Sequence, residues 1–168
     1  DISDFKRIKG IGKVKALQLS IQFEIAKRMM RGARSEGILL DEPIKVWEYL
    51  YPEVRTSGVE KVWVLCLDRK NKLIRSELVT SGTATASLVH SREVFRPAIR
   101  HGATAIILAH NHPSGDPTPS AADLRVTKEI LKSSTIVNID LLDHIIIGET
   151  ENCPNSLGFY SFSEAGVI

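Results

Sequence analysis

The stretch Ala103-Thr-Ala-Ile-Ile-Leu-Ala-His110-Asn-His112-Pro-Ser-Gly-Asp-Pro-Thr-Pro-Ser120-Ala-Ala-Asp123 sets the fold and the chemistry expected of this chain. Its first seven residues are apolar without polar alternation, the pattern of a short strand buried on both faces. Side chains alternate along a strand, so His110 and His112 emerge on the same side where that strand leaves the core. Pro113, Pro117 and Pro119, with Gly115, exclude regular structure and predict a stiff loop. Ser120 is a preferred N-cap residue and opens a helix-forming run from Ala121 to Lys132. Asp123, three residues on, sits on the first helical turn on the side of Ser120.

Two imidazoles, a carboxylate and a hydroxyl in one strand-loop-helix are what a hydrolytic zinc site needs. Catalytic zinc takes three protein ligands and leaves one position for water, whose pKa falls to about 7. His110, His112 and Asp123 supply that set, so one zinc ion is the expected cofactor. Two alternatives compete. Ser120 and Asp123 also satisfy the pattern of an ordinary helix cap, which by itself calls for no metal. A ferrous oxygenase site likewise uses two histidines and one carboxylate. The adjoining Ser120 favours hydrolysis, because a hydroxyl can donate to a developing oxyanion.

The pattern His-x-His-Pro, then Ser, then two residues, then Asp, resembles the JAMM motif of MPN-type metalloproteases, including the spacing from His112 to Ser120. The longer string His110-Asn-His-Pro-Ser-Gly-Asp-Pro-Thr-Pro-Ser120, with Leu142-Asp-His-Ile-Ile-Ile-Gly148 downstream, resembles the RadC family over nearly the whole chain. That resemblance implies an MPN-type α/β (α+β) domain, a mixed sheet packed with helices. It also implies a zinc site with metallopeptidase-like hydrolase activity and a name tied to DNA repair. The substrate it points to is a peptide or related amide.

The JAMM pattern also requires an upstream glutamate as general base and acid. Three candidates stand in the sequence. Glu60 opens the apolar strand Val62-Trp-Val-Leu-Cys-Leu67, Glu93 follows Ser91 at the start of a helix, and Glu77 lies in a second hairpin strand from Leu73 to Thr80. Taken from the residues alone, each reads as a solvated acid, and Glu93 is accounted for by the dipole of its helix. The family spacing favours Glu60, with Glu93 as the second choice. Ser120 takes the role of oxyanion stabiliser.

Elsewhere the chain reads more plainly. His144 falls in a strand from Ile139 to Ile147, either as a core histidine or as a partner orienting a ligand; Asp143 is a second candidate for that orienting role. Asp116 is placed to compete for metal from the loop. His90 and His101 show no partner spacing. Cys66 and Cys153 lack metal-type spacing and read as free thiols of a reducing compartment. Asp41-Glu-Pro43 predicts the cap and first turn of a helix ended by Pro52, Asp68–Lys72 a hairpin turn, Ala84 to Val89 a third strand, and Ser91 to about His101 a helix. Phe159 to Ser163 reads as an edge strand.

Length and composition fit one good core, with 168 residues, 43% hydrophobic and 25% charged. No apolar run approaches the roughly 18 residues of a membrane helix and no signal-peptide pattern opens the chain, so no membrane partner is expected and the expected location is the bacterial cytoplasm. The chain starts at Asp1 without a methionine, as a trimmed fragment would. Its net charge of +2 is unevenly spread: residues 1–35 hold nine Lys/Arg against three Asp/Glu. The expected division is a basic helix-hairpin-helix-like segment over residues 1–35 and an MPN/JAMM-like zinc domain over residues 36–168, linked at Ser35-Glu-Gly37. Ile8-Lys-Gly-Ile-Gly-Lys-Val-Lys-Ala-Leu17 resembles the hairpin of a helix-hairpin-helix module, in which Gly10 and Gly12 let backbone amides approach a phosphate. Lys9, Lys13 and Lys15 add sequence-independent attraction to DNA. The competing account is a plain inter-helix turn, with Leu17, Ile21, Ile25 and Met29 as a packing stripe and Lys27, Arg28, Arg31 and Arg34 solvated. A DNA-binding or repair-associated module, its metal site structural or vestigial, is therefore the alternative to a hydrolase.

Overall fold

The computed structural model describes residues 5, 7–35, 37–55, 57–82, 89–153 and 157–168, the side chains of 27–35 and 152 excepted. The chain divides into two compact units, Asp1–Glu36 and Gly37–Ile168. In the first, a turn through Gly10, whose φ of 91° suits glycine, leads into helix α1 (Lys13–Ser35). Phe5 stacks on Phe23 with ring centroids 5.6 Å apart. Of the expected packing stripe, Leu17, Ile21 and Ile25 are exposed, whereas Ala16 is buried; the side chains of Met29 and of Lys27, Arg28, Arg31 and Arg34 lie outside those described.

The second unit is a mixed α/β domain. Helix α2 (Pro43–Val54) precedes the hairpin of β1 (Glu60–Leu67) and β2 (Leu73–Gly82). Helix α3 (Ser91–Arg100), strand β3 (Ala105–Asn111), helix α4 (Ala121–Val137), strand β4 (Asp140–Ile147) and the short β5 (Phe159–Ser161) follow. The sheet order is β2-β1-β3-β4-β5, with β3 and β4 parallel and the other neighbours antiparallel. The hairpin turn is tied by Asp68, whose carboxylate accepts from the backbone N–H of Lys70 and Lys72.

Both faces of the sheet are covered, which is why β1 and β3 read as unbroken apolar runs. On one face Val62, Val64, Cys66, Ile106 and Leu108 pack with Val94, Phe95 and Ala98 of α3 and Val126 and Ile130 of α4. On the other, Trp63, Leu65, Leu67, Ile107 and Ala109 pack with Val46, Leu50 and Val54 of α2. The candidate site lies at the end of β3, on the first of these faces, where α4 begins.

Several element ends differ from the sequence expectations. Pro52 lies inside α2 rather than ending it. Burial of Val54 retains the last turn, and Arg55 N–H still reaches the Tyr51 carbonyl at 3.0 Å. The cap of α2 is Glu42, without a side-chain capping bond; Asp41 and Glu42 both pair with Lys45, at 2.6 and 3.4 Å. His90, not Ser91, is the N-cap of α3. Helix α4 runs past Lys132 to Val137: Ser133 and Ser134 donate to the carbonyls of Glu129 and Leu131, satisfying hydroxyls that otherwise compete with the helix. It ends at Asn138, whose φ of 56° is the left-handed conformation favoured at a helix C-terminus. The expected strand from Ala84 lies outside the described residues, except for Val89, which is in no strand.

Candidate metal centre

Strand β3 carries His110 between two neighbours, opposite Val62 of β1 and Ile146 of β4. One residue past the strand, the His112 N–H still reaches the Ile147 carbonyl at 3.1 Å, so both histidines are fixed to the sheet. The following loop is pressed onto the end of β4. A Cβ on Gly148 would lie 2.3 Å from the Gly115 carbonyl, so only glycine admits this approach. Glu149 N–H then bonds that same carbonyl at 2.8 Å.

At the start of α4, Ser120 and Asp123 form a reciprocal cap. Ser120 N–H donates to Asp123 Oδ2 at 2.7 Å, and Asp123 N–H donates to Ser120 Oγ at 3.2 Å. The cap does not compete with a site; it aims the carboxylate. Asp123 Oδ1 lies 3.3 Å from His110 Nε2, Oδ2 lies 3.6 Å from His112 Nε2, and the two Nε2 atoms are 3.1 Å apart. His110 and Asp123 are buried, whereas His112 is partly open to solvent.

Hydrogen-bond partners fix the tautomers. The Asp123 carbonyl has no proton, so Thr127 Oγ1, 2.7 Å away, must donate to it. Thr127 has no second proton, so His144 Nδ1 donates to Thr127 Oγ1 at 2.6 Å. His144 Nε2 is then bare and accepts from His110 Nδ1–H at 2.9 Å. His110 Nε2 is left with its lone pair facing Asp123. Independently, His112 Nδ1–H donates to the Asp116 carbonyl at 2.8 Å, which bares its Nε2 as well. Two nitrogen lone pairs and a carboxylate converge, an arrangement that repels itself unless a proton or a metal ion stands among them. His110, His112 and Asp123 each offer one ligand atom, all within 4.8 Å of one another, and could hold a metal ion. Imidazole nitrogen with carboxylate oxygen suits zinc.

The electrostatics agree with this geometry. Burial disfavours charge on Asp123, but protons taken up on the facing His110 and His112 rings when no metal ion is bound, together with the bond from Ser120, hold its carboxyl far below the usual range. Burial also opposes a charged His112, yet the Asp123 carboxylate, the Asp116 carbonyl and the charge of Glu60 together raise that ring above its ordinary pKa. His144 is held well below its ordinary value, first by burial and then by the neighbouring His110, so it stays neutral and keeps the tautomer the relay requires.

Of the glutamates, Glu60 is the one whose charge reaches His112, and it lies two residues ahead of Val62, the partner of His110. Glu93 is instead held by Arg92 at 3.1 Å and Arg96 at 2.7 Å, and Glu77 meets Arg75 at 3.4 Å and His101 at 3.2 Å. Asp116 does not compete for metal through its side chain, which accepts from Thr118 N–H at 2.9 Å. Nor does Asp143 orient a ligand: it takes the Ser161 hydroxyl and the backbone N–H of His144 and Ser163. Both cysteines are buried, and burial with the Glu77 charge pushes the Cys66 thiol up to about 12, which rules it out as a nucleophile at neutral pH. Lys9, Gly10, Gly12, Lys13 and Lys15 are exposed in the first unit. Sequence reasoning missed Thr127, whose signal was its place one turn after Asp123 on the buried side of α4. It also missed Asn111, which gave none.

Residues 40–167 match the family profile of the RadC-like JAB domain. Similar relatives include UPF0758 proteins of Pelodictyon phaeoclathratiforme (44% identical over 99% of this chain), Methanosarcina barkeri (40% over 89%) and Staphylococcus aureus (42% over 98%). The aligned part spans 72%, 65% and 69% of those proteins, respectively. None of the helices described is long and apolar enough to cross a membrane. On a profile that covers the whole sheet with its three helices, and relatives at this identity over most of its length, the chain belongs to the RadC-like JAB domain family.

Proposed function

We propose that the protein is a zinc-dependent hydrolase of the JAMM metallopeptidase type, acting on a peptide or related amide bond. The observation that carries this reading is the pair of bared Nε2 atoms facing a pre-aimed carboxylate, with His112 partly open to solvent. A structural zinc site would be closed by four protein ligands, whereas three converge here among the described residues. When bound by His110, His112 and Asp123, zinc would supply Lewis acidity, lowering the pKa of a water to about 7. Glu60 takes that proton and returns it to the leaving nitrogen. Ser120 donates to the oxyanion; its Oγ accepts from Asp123 N–H, which holds the hydroxyl at the start of α4. Full activity of Glu60→Gln against the amide substrate would remove Glu60 from this role, whereas retained zinc with lost turnover supports it. Cys66 as a free buried thiol fits the reducing bacterial cytoplasm, which is the location we propose.

A second reading concerns residues 1–35. Lys9, Lys13 and Lys15 are exposed around a left-handed turn at Gly10 that leads into the start of α1, a surface suited to a phosphate backbone. On this reading they form a helix-hairpin-helix-like segment that carries DNA, while residues 36–168 form the zinc domain. Duplex DNA binding that weakens steeply with added salt supports it, and binding that is absent or insensitive to salt rejects it.

A further inference from the structure

We infer that Asn111 is a positioning residue for Glu60, its side-chain amide standing in for a stretch of backbone and clamping the chain on both sides of that glutamate. The inference rests on Glu60 as the base. The ladder between β1 and β3 ends at the pair Val62 and His110. Beyond it the β3 chain leans toward β4, where His112 N–H bonds the Ile147 carbonyl, so its backbone no longer continues the β1 ladder. The Asn111 side chain fills the vacated place: Oδ1 accepts from Lys61 N–H at 2.9 Å, and Nδ2 donates to the Val59 carbonyl at 3.2 Å. A primary amide carries the same donor and acceptor as a peptide group, so the strand edge is extended past its backbone pairing. Those two bonds bracket Glu60, one residue to each side. On its other flank Glu60 pairs with Gly82, the last residue of β2. The Val59 carbonyl also accepts from Ser57 Oγ at 3.0 Å within its own loop, whereas the Asn111 amide is the tie to Val59 and Lys61 from β3.

Asn111 is 2% exposed, so its amide is held in place between the two backbone groups; without it the Lys61 N–H loses this bond, while the Val59 carbonyl keeps Ser57. No other side chain serves both bonds at this reach: aspartate has no proton to donate, glutamine is a methylene longer, and leucine offers neither group. The same residue that separates the two histidines thereby sets the distance between them and the glutamate. A general base must sit within hydrogen-bond reach of its proton, and an ångström of displacement costs on the order of 10²-fold in rate.

The test uses the full chain with four proteins: wild type, Asn111→Leu, Glu60→Gln and the double variant. In the metal-free proteins, Lys61 N–H should exchange with solvent about tenfold faster in Asn111→Leu, while the central β1 amides keep their protection. After loading with Co²⁺, the pH midpoint of the visible spectrum should move by about one unit in Asn111→Leu, as in Glu60→Gln, with no further shift in the double variant. A wild-type midpoint in Asn111→Leu while Glu60→Gln shifts overturns the inference and leaves the base intact. An equal additional shift in the Glu60→Gln background also overturns it, because Asn111 would then act through the histidines. If Glu60→Gln leaves the midpoint unmoved, the base assignment falls and takes the inference with it. Should Asn111→Leu not fold, Asn111→Ala, which has no amide and adds no charge, replaces it in the same cycle, where non-additivity with Glu60→Gln is the expected result.

Discussion

The metal centre and the basic turn before α1 both gather polar side chains, yet they are built in opposite ways. At the centre, His110, His112, Asp123, Thr127 and His144 come from two strands, a loop and a helix, and the hydrogen bonds of each are accounted for. No buried side-chain polar atom among the described residues lacks a partner. At the turn, Lys9, Lys13 and Lys15 lie within seven residues of one another and are exposed. Buried polar networks are costly unless every member is satisfied, so one that turns two imidazole nitrogens toward a carboxylate could hold a metal ion there. Exposed lysines cost little wherever they stand. The first arrangement therefore constrains chemistry tightly, and the second constrains only charge.

The sharpest way to break this contrast is to remove a ligand. His112→Ala or Asp123→Ala should abolish stoichiometric zinc by metal analysis, while replacement of Lys9, Lys13 and Lys15 together should leave zinc content unchanged. Next in size, Glu60→Gln should keep its metal and lose about 10²–10⁴-fold in turnover of an amide substrate. The relay behind the ligands comes third: Thr127→Val strands the His144 Nδ1–H, and zinc affinity measured by competition with a chelator should weaken about 10–100-fold.

The pH dependence sharpens the comparison further. The His112 pKa is raised, so its proton must leave before metal binds, and zinc affinity should fall about tenfold per pH unit below that raised value and level off above it. In the metal-free protein the sign reverses. A raised histidine stabilises fully below its unfolded pKa and is lost as pH rises through the folded one, so the Tm should decline as pH rises above the ordinary histidine pKa of about 6.5. The lowered Asp123 works the other way, its contribution being present above the ordinary carboxylate pKa and lost only in strong acid. The smallest effect belongs to the turn, where each lysine that contacts a phosphate should reduce the salt slope of DNA binding by about 1 when replaced.

How much of this was legible follows the same division between local and distant. The ligand trio was readable because each part obeys a short rule: alternation put His110 and His112 on one side, and the cap placed Asp123 on the first turn of α4. The reading of Ser120 and Asp123 as a mere cap was also correct as geometry, since one carboxylate does both. The relay was less legible, because His144 and Thr127 meet 17 residues apart and His144 reaches His110 across 34. Sequence allowed His144 as a core histidine or an orienting partner, and only the fold shows that it is buried and bonded to a ligand. Asp143 looked equally eligible, but alternation turns neighbours on a strand to opposite faces. The element ends that moved, at Pro52 and Lys132, were decided by the burial of Val54 and by hydroxyls bonding back into the helix. Local propensity does not see either. Asn111 was invisible for a different reason: its partners are backbone groups, which leave no mark in the residue pattern.

The central claim is that this centre is an open three-ligand zinc site. X-ray absorption on the zinc-loaded protein tests it most directly. The account predicts one zinc per chain, with two imidazole nitrogens at about 2.0–2.1 Å, one carboxylate oxygen and a fourth, exchangeable oxygen. Substoichiometric zinc, or four protein ligands with no exchangeable position, would contradict it.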